Sequence, residues 1–185
     1  MNRRLPLFLL LSASSLTACL GNIDLKPGSY RPLPEGVEIS PEGTLLAQGQ
    51  VVGISDGDTL SVLGKDKKTY RIRLQGIDAP EKKQDYGQKC KESLMRLTAN
   101  LPVEVEAYKQ DRYGRIVAKV TARGKDVALE QIRNGCGWHY TAYAGEQSTS
   151  DRKDYAAAEK AARQARRGLW RGKNPQAPWD YRHQP

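Results

Sequence analysis

The sequence predicts an α+β fold in which five short antiparallel strands close into a small barrel and three helices pack around it. Short runs of β-branched and apolar residues alternate with glycines and charged residues, as strands joined by turns do. One amphipathic helical pattern lies between the third and fourth runs, and two more follow the fifth. We expect 47–170 to form this domain, with one hydrophobic core, and 171–185 to be a basic and aromatic tail packed on it.

The strands are predicted from their apolar patterns. The fourth contains "VEVEAY", which alternates strictly, as a strand with one buried face does. The charged sequence "KDKK" between the second and third strands is expected to be a hairpin tip. The predicted strands are 47–54, 59–64, 69–77, 103–108 and 114–122.

The helices are predicted from apolar residues at spacings of three and four. The three predicted helices are 86–101, 126–135 and 148–170. The apolar face of the first consists of Cys90, Leu94, Leu97 and Leu101. Asp126 is expected to cap the start of the second helix and Gly135 to end it, while Gly168 is expected to end the third. This order of elements is typical of the oligonucleotide-binding (OB-fold) barrel.

The N-terminal segment has the composition of a targeting signal. Residues 1–18 combine a short basic start with an apolar stretch that is too short to span a bilayer, which predicts a signal peptide. The stretch ends in "LTAC", which resembles the lipobox of bacterial lipoproteins, so Cys19 is the predicted lipidation site; the alternative is a lone cysteine in an ordinary signal peptide. Residues 19–46, rich in proline and glycine, are a predicted flexible tether. We therefore expect a lipid-anchored protein of the cell envelope, at the periplasmic side of the outer membrane in a Gram-negative host and otherwise on the outer face of the cell membrane.

The net charge favours a polyanionic partner. The chain has a formal charge of +9, and loss of the two arginines in 1–18 lowers it to +7. Nucleic acid and an anionic membrane surface both fit this charge, and we expect a monomer. Trp170 and Trp179 lie beside basic residues and could stack on single strands, but a tryptophan after a helix-ending glycine more often packs on the core.

Two cysteines remain after the predicted lipidation site. Cys90 and Cys136 are a possible disulfide, because an exported protein meets an oxidising environment. The alternative is two separately buried thiols. The histidines, His139 and His183, are expected at the surface.

Three acidic residues suggest a cation site. Asp56 and Asp58 lie two apart in "SDGDT", and Asp78 closes the third predicted strand. A hairpin turn is one interpretation of the Asp-Gly pair, and a metal site is the other. Neighbouring carboxylates repel one another unless a cation shares them, and oxygen ligands alone favour Ca²⁺ or Mg²⁺ over zinc. Because Ca²⁺ takes about six to eight oxygens, water and a substrate phosphate would complete the ligand set.

Three motifs together resemble one family. "SDGDT", "RLQGIDAPE" and "DRYGR" occur in the order and approximate spacing of the staphylococcal-type thermonuclease (micrococcal nuclease) family, and the resemblance covers residues 48 to 170. It implies an OB-fold barrel and Ca²⁺-dependent hydrolysis of DNA and RNA, single strands preferred, to 3′-phosphate ends. Two rival interpretations remain: a catalytically silent nucleic-acid-binding barrel and a Ca²⁺-binding surface protein without nuclease activity. Neither explains why the candidate catalytic residues are all present.

The resemblance also implies roles for individual residues. Arg73 and Arg115 would neutralise charge on the phosphate, and Glu81, just after a proline, is the candidate general base. The implied metal ligands are Asp58, Asp78 and the backbone carbonyl of Ala79, with Asp56 acting through water. The resemblance implies substrate contacts at Tyr113, with the phosphate end, and at Tyr143, with a base; Arg112 and Tyr140 are further candidate substrate contacts.

This sequence departs from the family pattern at three positions. Arg112 stands where lysine is familiar, which keeps the charge. Ala79 stands where threonine is familiar, which a backbone ligand tolerates. Thr141 replaces the first base-stacking tyrosine, and either Trp138 or Tyr140 could take its place.

Each of these side chains also has an ordinary interpretation. Arg73 could be a solvated strand residue, Arg115 a hairpin-tip charge and Glu81 an exposed loop residue. A flat strand would also send Arg73 and Asp78, five residues apart, to opposite faces. We expect Gly76 to form a bulge or end the strand early and so bring the two together.

Overall fold

A computed structural model describes residues 45–183 and the pair Glu38–Ile39, with side chains described for 47–183. The predicted signal peptide, the predicted lipidation site Cys19 and most of the predicted tether lie outside the described residues. Within the described part of the chain, no helix is long and apolar enough to cross a membrane.

The described residues form short strands and helices in the following order. The strands are β1 (Glu38–Ile39), β2 (Leu45–Ile54), β3 (Thr59–Gly64), β4 (Thr69–Leu74), β5 (Ile77–Asp78), β6 (Pro102–Gln110), β7 (Ile116–Ala122), β8 (Lys125–Asp126) and β9 (Trp138–His139). The α-helices are α1 (Gly87–Thr98), α2 (Val127–Arg133), α3 (Thr149–Gln164) and α4 (Pro178–Arg182). Two 3-10 helices span Thr141–Glu146 and Gly168–Arg171.

Five strands close into the predicted barrel. The order β2-β3-β4-β7-β6 returns to its start because β2 also pairs with β6. One part of the prediction is wrong: β4 and β7 run parallel, with Ile72 opposite Ile116, so the barrel is mixed rather than wholly antiparallel. A parallel pair needs a long crossover connection, and here α1 and β6 provide it. The α+β OB-fold class is confirmed.

The core lies inside the barrel and under α1 and α2. Its fully buried members include Leu60, Ile72, Leu74 and Val120 from the strands, Leu94 from α1 and Ile132 from α2. Cys90 and Leu94 are buried as the helical pattern predicts, whereas Leu101 lies beyond the end of α1. Asp126 caps α2 as predicted, because its side chain accepts hydrogen bonds from the backbone N–H groups of Ala128 and Leu129.

The third predicted helix is shorter than expected. It ends at Gln164 instead of running to residue 170, because Arg166 adopts a left-handed conformation with φ of 49°. Gly168, expected to end the helix, instead begins a 3-10 helix. A Cβ at Gly168 would lie 2.2 Å from the carbonyl oxygen of Gly135, so glycine permits close approach of two loops here.

A second apolar cluster packs the C-terminal segment around Trp170 and Trp179 against the domain. Trp138 and Trp170 meet edge to face with ring centroids 4.9 Å apart, and Trp179 lies 6.3 Å from Trp138. Ala177 is buried in the same cluster. Both C-terminal tryptophans therefore pack on the domain, as the core-packing interpretation predicts, and Trp138 is too buried to stack on a nucleic-acid base.

Two sequence-based expectations differ from the structure. Cys90 and Cys136 are free, buried thiols, so the possible disulfide is absent here. The hydrogen bond between them, and then burial, raises the pKa of Cys90, which keeps the thiol protonated. His139, expected at the surface, is buried and bonded to the Gln147 amide oxygen at 2.8 Å, because β9 places it under α3. His183 is exposed as expected.

Candidate active site

One cleft, about 800 Å³ in volume, brings the predicted site residues together. All eleven residues proposed for catalysis, cation binding or substrate contact line it: Asp56, Asp58, Arg73, Asp78, Ala79, Glu81, Arg112, Tyr113, Arg115, Tyr140 and Tyr143. We call Asp56, Asp58, Asp78 and Glu81 the acidic wall. We call residues 111–115, which connect β6 to β7, the arginine turn.

The first segment of the acidic wall is the turn from β2 to β3. Ser55 N–H donates to the Thr59 carbonyl at 2.9 Å, and Asp58 N–H donates to the Asp56 side chain at 3.1 Å. The hairpin interpretation is therefore correct for the backbone, while both carboxylates still face the cleft. A Cβ at Gly57 would lie 2.7 Å from that of Ala79, so glycine lets the two acidic segments touch.

The second segment follows an early end of β4. The chain leaves the barrel after Leu74, and Gly76 adopts φ of 73°, which is accessible to glycine at little cost. A side chain there would also meet the Gln147 amide, since a Cβ would lie 2.2 Å from its nitrogen. Ile77 and Asp78 then pair with β9 rather than with the barrel. The expected role of Gly76 in redirecting the strand is confirmed.

Arg73 lies between the two acidic segments as a result. Its guanidinium contacts Asp78 Oδ1 at 2.9 Å and Asp58 Oδ2 at 3.3 Å, and it also donates to the carbonyl of Ile77 at 2.7 Å. The solvated-strand interpretation of Arg73 is wrong, because the side chain is largely buried. Asp58 is held further by the backbone N–H of Ala79, which donates to its Oδ2 at 2.7 Å.

Burial and mutual repulsion disfavour the charged forms of Asp56 and Asp78. Burial, followed by the charge of Asp58, raises the pKa of Asp56 to about 6. Burial also raises the pKa of Asp78, although hydrogen bonds and charge from Arg182 and Arg73 partly offset this effect. An added cation would relieve both penalties.

Glu81 stands at the outer end of the acidic wall. Its side chain is 37% exposed, and its backbone N–H donates to the Gln84 side chain at 3.0 Å. Gln84 in turn donates to the carbonyl of Gln176 at 2.7 Å, which ties the Glu81 loop to the C-terminal segment. The Glu81 carboxylate is therefore accessible to water while its backbone is fixed.

The arginine turn holds Arg115 by means of Asp111. Asp111 Oδ1 accepts the backbone N–H groups of Tyr113 and Arg115, each at 2.9 Å, and Oδ2 accepts Arg115 Nε at 2.7 Å. The other end of the Arg115 guanidinium lies 3.4 Å from the hydroxyl of Thr59, next to the acidic wall. The guanidinium of Arg115 is therefore held in place by Asp111 and is not a mobile charge at a hairpin tip.

The predicted substrate contacts form the rim of the cleft. Tyr113 is 64% exposed, with the guanidinium groups of Arg112 and Arg115 at 4.9 and 5.5 Å from its ring centroid. Tyr143 is 48% exposed and meets Tyr140 edge to face at 4.9 Å. These rings and cations present the stacking and charge that single-stranded nucleic acids bind.

Tyr140 is less available than its neighbour Tyr143. The Trp179 ring stacks parallel to it at 5.4 Å, which covers one face of the tyrosine. Of the two, Tyr143 is therefore the better-placed ring for a base.

Three residues that support the site were not predicted from the sequence: Asp111, Gln84 and Arg182. An aspartate at the start of a turn commonly accepts the backbone N–H two residues on, and this was an available signal for Asp111. No local pattern indicates Arg182, which reaches Asp78 from 104 residues away.

The donor chemistry of the acidic wall fits a hard divalent cation. Asp58 and Asp78 are close enough to share the Arg73 guanidinium, and all their donor atoms are carboxylate oxygens. Among residues 45–183, no group of three or more His, Cys, Asp or Glu side chains is already arranged as metal ligands. The guanidinium groups of Arg73 and Arg182 occupy the carboxylate oxygens instead, so cation binding requires these contacts to rearrange.

Comparison with known proteins agrees with this geometry. An uncharacterized endonuclease of Escherichia coli is 42% identical over 136 residues, which is 73% of this chain and 84% of the relative. An uncharacterized endonuclease of Haemophilus influenzae is 38% identical over 135 residues, 73% of this chain and 72% of the relative. A probable staphylococcal-like nuclease of Oryza sativa subsp. japonica is 43% identical over 115 residues, 62% of this chain.

The coverage differs between bacterial and plant relatives. This chain spans only 33% of the rice protein and 40% of a staphylococcal-like nuclease of Arabidopsis thaliana. A sequence model of the family described as "Staphylococcal nuclease homologue" matches residues 71–172, which carry Arg73, Asp78, Glu81 and the arginine turn. With the closed barrel and the shared cleft, these matches show that the chain belongs to the staphylococcal nuclease family.

Proposed function

We propose that this protein is a Ca²⁺-dependent nuclease that hydrolyses phosphodiester bonds in DNA and RNA, with a preference for single strands. One observation carries the proposal: the acidic wall and the guanidinium groups of Arg73 and Arg115 face one cleft, although they come from separate segments of the chain. Phosphodiester hydrolysis needs a base for water and positive charge for the phosphate, and this set provides both.

The residues divide the reaction between them. Asp58, Asp78 and the carbonyl of Ala79 would hold Ca²⁺, with Asp56 acting through water. The bound ion would supply charge neutralisation at the phosphate. Glu81 takes a proton from water as the water oxygen bonds to phosphorus. The bond from phosphorus to the 5′ oxygen breaks, and this oxygen takes up a proton from solvent water. The products are a 3′-phosphate and a 5′-hydroxyl.

The cations and rings bind the nucleic acid. Arg115 donates hydrogen bonds to the phosphate oxygens as negative charge develops on them, and Arg73 does the same once it is released from the carboxylates. Arg112 and Tyr113 contact the phosphate end of the substrate, and Tyr143 with Tyr140 packs against a base. None of these contacts reads base identity, which supports cleavage without strong sequence preference.

The test uses circular single-stranded DNA and the protein without residues 1–19. We expect Ca²⁺ to permit digestion and a chelator to stop it, with restoration when Ca²⁺ is added back. Because the substrate has no ends, cleavage demonstrates endonuclease activity directly. Digestion that survives chelation would contradict the cation assignment, and binding without cleavage would favour the silent OB-fold barrel.

We also propose that Cys19 anchors the mature chain to a membrane of the cell envelope as a monomer. The support is the "LTAC" sequence after a short apolar segment. Growth with a radioactive fatty acid should label the wild type but not Cys19→Ser. An unlabelled wild type would rule out lipidation.

A further inference from the structure

The carboxylates proposed for catalysis are already bound by a cation from the end of the chain. Arg182, in α4, contacts Asp78 with both terminal guanidinium nitrogens, Nη2 to Oδ2 at 2.9 Å and Nη1 to Oδ1 at 3.2 Å. Nη1 also contacts Glu81 Oε1 at 2.8 Å. One arginine therefore links a proposed metal ligand to the proposed general base.

The position of Arg182 is fixed by packing rather than by charge alone. Trp179, three residues earlier, stacks on Tyr140 with an interplanar angle of 1° and also contacts Trp138 edge to face. Pro178 is buried at the start of α4. Gln84 anchors the preceding segment through the carbonyl of Gln176. The C-terminal helix is thus docked so that its last residue enters the cleft.

This contact and a divalent cation need the same oxygen atoms. Asp78 is only 1% exposed, and both of its oxygens accept hydrogen bonds from guanidinium groups: Oδ1 from Arg73 and Arg182, Oδ2 from Arg182. A guanidinium stays charged at every accessible pH, so loss of a proton cannot release Arg182 from Asp78. It must withdraw from Asp78 for a cation to bind there.

We propose that Arg182 is a further residue of the active site that acts as an internal competitor of the divalent cation. In the metal-free protein the Arg182 guanidinium neutralises Asp78 and is hydrogen-bonded to Glu81. It leaves Asp78 when the cation binds. This inference rests on the proposed function for the identity of the cation. It assigns the C-terminal helix a direct part in setting the cation concentration that the protein requires.

The test measures Ca²⁺ binding by isothermal titration calorimetry without nucleic acid, on the full chain in mild detergent. Arg182→Gln should bind Ca²⁺ about tenfold more tightly than the wild type, the scale of one or two lost charged hydrogen bonds. Arg182→Lys, which keeps the charge but loses the bidentate fork, should fall between them. The matched control is Lys82→Gln, which removes an exposed positive charge beside Glu81 that forms no salt bridge within residues 45–183. Its affinity should change less than threefold.

Thermal unfolding provides a second readout. Without Ca²⁺, Arg182→Gln should melt below the wild type, since Asp78 loses one of its two cationic partners. At saturating Ca²⁺ the two melting temperatures should converge, because tighter binding restores stability.

Unchanged or weaker Ca²⁺ binding by Arg182→Gln, in a variant that still unfolds cooperatively, would overturn the inference and leave Arg182 a structural ion-pair residue. A tenfold gain shared by Lys82→Gln would also overturn it, since net charge alone would then explain the effect. Failure of the proposed function is distinguishable, because it would appear as a wild type that binds Ca²⁺ but does not cleave DNA.

Discussion

The two sides of the cleft hold their arginines in opposite ways. On the acidic wall, Arg73 is bound to Asp58 and Asp78, the carboxylates proposed to receive the cation. In the arginine turn, Arg115 is bound to Asp111, which belongs to its own turn and lies outside the proposed cation site. The first contact has to change when a cation binds, whereas the second can persist through the reaction.

This difference suggests a division between a rearranging and a preorganised half. Charged donors that are already oriented need little reorganisation as charge develops on a phosphate, which makes them effective in catalysis. Arg115 meets that condition as the structure stands. Arg73 meets it only after the carboxylates have exchanged their partner.

The largest effect is expected at the proposed base, which belongs to the acidic wall. Glu81→Gln should lower kcat about 10²- to 10⁴-fold, because the amide cannot accept the proton from water. Steady-state cleavage of single-stranded DNA measures the loss. Glu104→Gln, an exposed glutamate on β6, is the matched control and should retain full activity. Unchanged turnover of Glu81→Gln would remove this residue from the mechanism.

The preorganised arginine is tested next. Arg115→Ala should lower kcat about 10²- to 10³-fold, the scale of one lost charged donor to the transition state. Its free energy of unfolding should fall by only about 1 kcal/mol, since the lost ion pair is partly exposed. Arg123→Ala, an exposed arginine on the β7–β8 turn, controls for net charge. An effect confined to KM would show that Arg115 only binds substrate.

Arg73→Ala should reveal the other side of the comparison. Here stability as well as activity should fall, by about 3 kcal/mol in the free energy of unfolding, because the buried carboxylates lose a shared cation. Urea denaturation without Ca²⁺ measures this change. Equal stability losses for Arg73→Ala and Arg115→Ala would contradict the distinction between the acidic wall and the arginine turn.

The smallest effect is expected at the residue that positions Arg115. Asp111→Asn keeps an oxygen for the two backbone N–H groups but replaces the acceptor of Arg115 Nε with an amide nitrogen. We expect kcat to fall roughly tenfold through misplacement of the guanidinium. Full activity would show that Asp111 merely shapes the turn.

The same substitution predicts a pH dependence of stability. Burial tends to raise the pKa of Asp111, but hydrogen bonds and charge from Arg115 outweigh this and hold it below its ordinary value of 3.8. A lowered pKa contributes stability that is present above 3.8 and lost as the pH falls through the folded-state value. Asp111→Asn should therefore cost about 1 kcal/mol at pH 7 and progressively less as the pH falls below 3.8, by urea denaturation. Asp85→Asn, at an exposed position, is the matched control and should cost little at pH 7.

Much of the architecture could be predicted because the signals are local. The strand and helix patterns, the Asp126 cap and the redirection at Gly76 each depend on residues within a few positions of one another. The motif residues also share one cleft, as the family resemblance of the three motifs implied.

Other features depend on contacts between distant segments. The parallel pairing of β4 with β7 depends on how the crossover returns to the barrel, and the burial of His139 and Trp138 depends on what packs over β9. The strand pairing and the burial both depend on which surfaces meet in the folded protein. Local sequence periodicity does not predict those contacts.

The sequence by itself determined the family, the barrel strands and the chemical groups available for phosphodiester hydrolysis, because backbone preference and side-chain chemistry are properties of short segments. Only the tertiary structure decided which arginine binds which carboxylate. Arg182 reaches Asp78 across 104 residues through the packing of Trp179, and such a contact exists only once both segments are folded against the barrel.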